Sequence, residues 1–172
     1  MMIRFKLNGE DISIETDVNE TLLDVLKHKL HITSVKRGCD EGQCGACTVL
    51  LEDKPVPSCL IPVSKVDGKS VVTLEGLRND EIMRILQEEF VQNFAFQCGY
   101  CTSGMLLTLY AEFKELLKNK LIEKIDKDFL RYEINKAIVG NICRCGAYKE
   151  IEKATLNALD KIKVNVKITD NK

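Results

Sequence analysis

The sequence predicts an α+β protein in two parts, a small β-rich N-terminal half and an all-α C-terminal half. Three observations carry this. Apolar residues alternate with polar ones over residues 3–14 and form short β-type runs near Thr48 and Val71; beyond Leu77 the apolar period becomes 3.6; and the eight cysteines divide four and four across that change. The expected spans are 1–77 for the β-rich part, 78–162 for the helical part and 163–172 for a C-terminal tail.

The elements follow in order. Ile3, Phe5 and Leu7 alternate with Arg4, Lys6 and Asn8, and Ile12 and Ile14 resume the period after Asn8-Gly9, so the chain is expected to open with a β-hairpin. Leu22, Leu23, Leu26 and Leu30 then fall at helical spacing behind the candidate caps Asn19 and Thr21. From Ser34 to Cys47 there is no period, only Gly38, Gly42 and Gly45 among three cysteines, which reads as a tight irregular loop. Thr48 to Leu51 and Val71 to Leu74 read as two further strands.

Four amphipathic helices are expected after that, and four suggest a bundle. The first carries Ile82, Ile85, Leu86 and Phe90 behind Asn79, and the others span about 102–118, 127–139 and 149–162. Tyr110 and Leu156 are expected only to pack. The tail alternates Ile162, Val164, Val166 and Ile168 with polar residues, as an edge strand or a frayed end would, and weak order is expected there.

Twenty-five basic and twenty-six acidic residues leave a net charge of −1 over 172 residues, which points to neither a nucleic-acid nor an anionic-membrane partner. No apolar run reaches the roughly 20 residues of a membrane helix, and the N-terminus lacks a signal peptide's apolar stretch. A cytoplasmic location is therefore expected. In a reducing compartment eight cysteines are metal ligands sooner than disulfides, and spacing must decide.

Cys39, Cys44 and Cys47 form CxxxxCxxC, with eleven residues between Cys47 and Cys59. This is the plant-type [2Fe–2S] spacing, four thiolates around two irons. Small residues at Gly38, Gly42, Gly45 and Ala46 let backbone N–H groups aim at an anionic cluster. Zinc, the rival, favours paired CxxC motifs. The second set is Cys98 and Cys101, then Cys143 and Cys145, with 41 residues between the pairs. Each pair stands directly before an expected helix, where thiolates and anions are favoured. On chemistry alone [2Fe–2S] leads here, with zinc or a redox disulfide still open. Arg144, between two of these cysteines, is either a charge felt by the cluster or partner, or a solvated side chain. His28 and His31 are expected at the surface.

The segments GCDEGQCGAC, FQCGYCTSGML and GNICRCGAY together resemble the iron–sulfur subunit or domain of the molybdenum hydroxylases, of the xanthine dehydrogenase, aldehyde oxidoreductase and carbon monoxide dehydrogenase type. The resemblance runs from about residue 3 to residue 158 and includes all eight cysteines. It implies a β-grasp ferredoxin-like domain holding one [2Fe–2S] cluster and an all-α four-helix-bundle domain holding the second. It also implies a large molybdopterin-binding partner and a medium FAD-binding partner, with electrons from the molybdenum centre passing through the helical-domain cluster to the plant-type one and on to FAD. Gln97 and Cys145 match positions that lie against the pterin, though Gln97 also reads as a plain polar residue. Two departures stand out: Ser103, where many relatives have proline, and Gly146-Ala147, where many have Thr-Gly. Neither removes a ligand, but they weaken any inference about substrate. No catalytic residue is expected. The leading function is an electron-transfer subunit acting during oxidation of an aldehyde or N-heteroaromatic substrate. A free-standing two-cluster ferredoxin-like carrier and a zinc-stabilised interaction module are the alternatives.

Overall fold

The alternation around Asn8-Gly9 folds as a hairpin in which β1 (Met2–Leu7) pairs antiparallel with β2 (Glu10–Glu15). Both turn residues have positive φ, 54° and 88°, as a two-residue turn matched to strand twist requires. Ile3, Phe5 and Leu7 are buried while Met2, Arg4 and Lys6 face out. This computed structural model describes residues 1–119 and 126–170, with side chains through residue 164.

Thr21 opens α1 (Leu22–Asp24) with a reciprocal capping box: its hydroxyl accepts from the Asp24 amide, and the Asp24 carboxylate accepts from the Thr21 amide. The helix widens to a π turn over Val25–Lys29 and buries Leu22, Leu23, Val25 and Leu26 against Ile3, Phe5, Val49 and Val71. The sheet is completed by β3 (Thr48–Leu51), β4 (Lys54–Pro57) and β5 (Ser70–Val72), in the order β2-β1-β5-β3-β4, with β5 parallel to β1 and the other pairs antiparallel.

Two strand expectations change. β4, a KPVP segment, is a strand that the sequence reading omits; proline is tolerated there because β4 lies at the edge and pairs only with β3. The strand expected to run to Leu74 ends at Val72, because the Thr73 amide turns to the Asn8 side-chain oxygen (2.8 Å) and Leu74–Leu77 coils into a 3₁₀ turn.

The second half holds α2 (Glu81–Gln92), α3 (Thr102–Lys118), α4 (Lys127–Ala137) and α5 (Tyr148–Asp170). α2 lies along α5 and touches α3, while α4 touches both α3 and α5. Met83, Leu86, Phe90, Met105, Leu109 and Phe113 are core residues here, in a cluster separate from the one beneath the sheet. Asp80 caps α2 in place of the expected Asn79, accepting the Met83 amide at 3.0 Å. Its other oxygen accepts the Tyr110 hydroxyl at 2.9 Å, so one carboxylate starts α2 and ties it to α3. Among the described residues no helix is long and apolar enough to cross a membrane.

Of the two expectations for the tail, the strand is corrected: α5 continues as helix to Asp170. The alternation misleads because Ile162 is 3% exposed and Val164 57%, whereas one strand face would bury both. Ile162 instead extends the helical stripe of Ile151, Ala154, Ala158 and Leu159. The side chains of Val166 and Ile168 lie outside the described residues.

Glu89, 2% exposed, joins α2 to α5. One carboxylate oxygen lies 2.5 Å from Lys161 Nζ, and the other accepts from the Asn93 side-chain amide at 2.9 Å. Burial by itself would raise the Glu89 pKa, but the Lys161 ammonium and the Asn93 amide outweigh it and hold the carboxyl below the usual carboxylate range. A carboxyl lowered in this way adds stability above its unfolded pKa of about 4.3, and that stability is lost as pH falls through the lowered value. Lys161→Met should lower stability at pH 7 by about 1–3 kcal/mol, read as a smaller urea midpoint at unchanged slope.

Candidate metal centres

The irregular loop before β3 turns sharply at Asp40, Gly42 and Gly45, with φ of 63°, 74° and 68°. These turns aim backbone N–H groups inward: Cys39 Sγ accepts from the Glu41 and Cys44 amides, each at 3.4 Å. With the Glu41 and Cys44 amides the main causes, the Cys39 thiol is lowered to about 7. Glycine is needed for space as well as rotation, since a Cβ on Gly38 would sit 2.6 Å from Cys44 Sγ. Arg37 braces the loop by pairing with both Asp40 and Asp24 of the α1 capping box.

The β3–β4 hairpin explains how Cys59 returns to the loop. Thr48 faces Pro57 across the ladder, and the Ser58 hydroxyl donates to the Cys47 carbonyl at 2.8 Å, which brings Cys59 beside Cys47. Cys59 is pushed up to about 11 by burial and by the Cys47 thiol that contacts it; Cys44 is raised by burial and touches Cys39. The first four cysteines therefore meet as Cys39 with Cys44 and Cys47 with Cys59.

The second set is organised the same way. Gly99 and Gly146, at φ 76° and 77°, turn the chain just before α3 and α5. Cys98 meets Cys145, and its thiol is lowered by the Tyr100 amide and then by the Cys145 thiol. Cys101 meets Cys143 and is pushed up to about 12 by burial and by that neighbour. The quartet grades from exposed Cys98 to buried Cys143, with Cys101 and Cys145 between.

These pairings fit a binuclear cluster. A [2Fe–2S] centre with four cysteines spreads its thiolates over two irons, so thiols gathered two by two suit it. Among the described residues, no three Cys, His, Asp or Glu side chains form a group that could hold a single metal ion. The thiols that burial raises are those a coordinating cation would deprotonate. Gln97 is exposed beside Cys98, Arg144 is exposed between Cys143 and Cys145, and His28 and His31 are at the surface.

What the sequence reading missed is the joint between the quartets. Four donors of the helical half bond to main-chain carbonyls around the first cysteine loop: Ser103 Oγ to Ser34 (2.6 Å), Tyr100 OH to Arg37 (2.7 Å), Ile142 N to Cys44 (2.9 Å) and Asn141 Nδ2 to Gly45 (3.2 Å). The departure at Ser103 supplies one of these donors. No spacing rule announces such bonds, because each joins residues at least 63 positions apart.

Residues 5–74 match the family described as 2Fe-2S iron-sulfur cluster binding domain, and residues 73–156 match the [2Fe-2S] binding domain family. The small FeS subunit of nicotinate dehydrogenase from Eubacterium barkeri is 42% identical, over 92% of this chain and 95% of that one. The iron-sulfur-binding subunit of aldehyde oxidoreductase from Escherichia coli K12 is 38% identical over 95% of this chain and 73% of that one. The chain belongs to the iron–sulfur small subunits of the molybdenum hydroxylase family. A molybdenum hydroxylase small-subunit fold also emerges from solved structures: quinoline 2-oxidoreductase from Pseudomonas putida 86 superposes with a TM-score of 0.81 at 33% identity, covering 94% of both chains. Aldehyde oxidoreductase from Desulfovibrio desulfuricans superposes with a TM-score of 0.79 over 94% of this chain and 17% of that longer one, at 34% identity.

The joint between the two family domains depends on Gly104, where an added Cβ would meet the Gly45 carbonyl oxygen at 2.2 Å. Alanine normally favours a helix over glycine by about 1 kcal/mol, but backbone cannot yield here. Gly104→Ala should therefore destabilise by about 1–3 kcal/mol, as a lower urea midpoint, against the helix-propensity expectation.

Proposed function

We propose that this chain is the electron-transfer subunit of a multi-subunit molybdenum hydroxylase. It would hold two [2Fe–2S] clusters and relay electrons from a molybdopterin centre in a large partner subunit to FAD in a medium one. Cys39, Cys44, Cys47 and Cys59 hold one cluster in a β-grasp domain (1–77), and Cys98, Cys101, Cys143 and Cys145 hold the other in a four-helix-bundle domain (78–162). Such clusters supply reversible one-electron transfer. The contacts of Cys39 with Cys44 and of Cys47 with Cys59 support grouping these four thiols around one cluster, to which they would supply the ligands.

The single observation that carries the reading is the Ile142 N–H to Cys44 C=O bond, which joins a residue adjacent to Cys143 directly to a cysteine of the first quartet. Exposure supports a direction. Cys98 and Gln97 are open to a partner, Cys143 is buried at the inner edge, and Cys39 is partly exposed beyond it. The family resemblance, together with the exposure of Gln97, supports reading Gln97 and Cys145 as the pterin side. Relatives named for aldehyde, nicotinate and quinoline oxidation favour an aldehyde or an N-heteroaromatic substrate. A reducing, cytoplasmic setting suits eight free thiols, and the near-neutral charge favours protein partners over nucleic acid or membrane.

Purification from the native host should bring along larger chains containing molybdenum and flavin, with about four irons and four acid-labile sulfides on this chain. A chain that elutes alone with both clusters would instead be a free-standing carrier, and zinc in place of iron would end the reading. Cys44→Ser should remove one of two EPR signals on reduction and leave the other; loss of both, or of neither, contradicts the ligand grouping.

A further inference from the structure

We infer that Tyr148 is a positioning residue for electron transfer between the two quartets. Its hydroxyl holds residues 141–143 extended so that the Ile142 N–H reaches the Cys44 carbonyl. The inference rests on the two-cluster reading above.

Asn141 is extended, with φ −117° and ψ 112°. In an extended segment alternate peptide groups face opposite edges, so the Asn141 C=O and the Cys143 N–H face one side and the Ile142 N–H faces the other. A neighbouring strand would normally satisfy the first pair. Here one hydroxyl does so: Tyr148 OH accepts from Cys143 N at 2.8 Å and donates to the Asn141 carbonyl at 3.3 Å. A phenol has donor and acceptor on one atom, which suits it to bridge the two. On the opposite edge, Ile142 N donates to Cys44 O at 2.9 Å and Asn141 Nδ2 donates to Gly45 O at 3.2 Å. Three residues are thus gripped between a tyrosine on α5 and the first cysteine loop.

The grip falls where the quartets meet. From Cys44 the link runs through its carbonyl and one hydrogen bond to Ile142, then along the chain to Cys143, whose thiol contacts Cys101. Covalent bonds plus one hydrogen bond carry electron tunnelling better than a gap of the same length. The transfer served moves one electron and no proton, from the reduced centre of the second quartet to the oxidised centre of the first, with no bond made or broken. Without the hydroxyl, the Asn141 carbonyl and the Cys143 amide lose a shared partner, and that edge keeps only the bonds at its two ends, Asn141 N to the Ile138 carbonyl (2.8 Å) and Gly146 N to the Cys143 carbonyl (3.2 Å), neither of which spans Ile142.

Tyr148→Phe in the complete, cluster-loaded chain removes only that oxygen. Iron and sulfide should stay at about four each, while hydrogen exchange of the Ile142 amide becomes roughly tenfold faster. The magnetic splitting between the two reduced centres should shrink, and intercentre transfer should slow several-fold. Ile142→Pro deletes the donor to Cys44 without touching Tyr148, and the extended Asn141 already suits a following proline. It should reproduce the slower transfer, and adding Tyr148→Phe to it should slow nothing further. Unchanged Ile142 exchange and splitting in Tyr148→Phe, additive slowing in the double variant, or loss of iron from Tyr148→Phe would each overturn the positioning role. A wild-type chain lacking two paramagnetic centres on reduction would sink the two-cluster reading instead.

Discussion

A loop that turns its N–H groups toward a shared anionic centre must turn carbonyls away from it, and those carbonyls need donors. In the first cysteine loop the inward amides of Glu41 and Cys44 reach Cys39 Sγ. The carbonyls of Ser34, Arg37, Cys44 and Gly45 point toward the helical half, which supplies a serine hydroxyl, a tyrosine hydroxyl, a backbone amide and an asparagine amide. A buried carbonyl without a partner costs about 1–3 kcal/mol; the Gly45 carbonyl is also met by Thr48 within its own half, so it is at Ser34 and Cys44 that the helical half supplies donors the loop would otherwise take from water. The two hydrophobic cores meet only where Leu50 of β3 enters the helical one, and beside that apolar contact the joint between the halves is directional and built on main chain.

That joint is close because glycines occupy it. Gly45 and Gly104 approach each other's backbone, and Gly45 also meets Gly140, so both quartets hang from backbone that side chains would push apart. The same closeness makes the buried edge of the second quartet, at Cys143, its inner edge, and leaves Cys98 exposed. Exposure and hydrogen bonding describe one arrangement, a chain with one exposed cysteine edge and an internal link between its two cysteine sets.

Much of this was legible from residues alone, for reasons that differ by element. The Asn8-Gly9 hairpin and the helix over Thr102–Lys118 follow from local turn chemistry and apolar period, which tertiary contacts reinforce. That the eight cysteines fall into two sets was legible because cysteines a few positions apart stay neighbours however the chain folds. β4 was not, since proline is a poor strand former except at an edge, and whether a strand is an edge depends on the whole sheet. Beyond Lys161 the alternation of apolar and polar residues fits a strand as a local pattern, and only the neighbour α2 shows that Ile162 and Val164 lie on opposite faces of a helix.

By itself the sequence determined which side chains are ligand candidates, that they form two sets, and the class of each half, because these depend on residue type and local spacing. Only the tertiary structure decided how the thiols pair within each set, which edge of the second set is buried, and that Tyr100, Ser103, Asn141 and Ile142 join the two sets. Those outcomes depend on hydrogen bonds and van der Waals contacts between segments far apart in the chain, and no local pattern encodes which distant carbonyl a hydroxyl will meet.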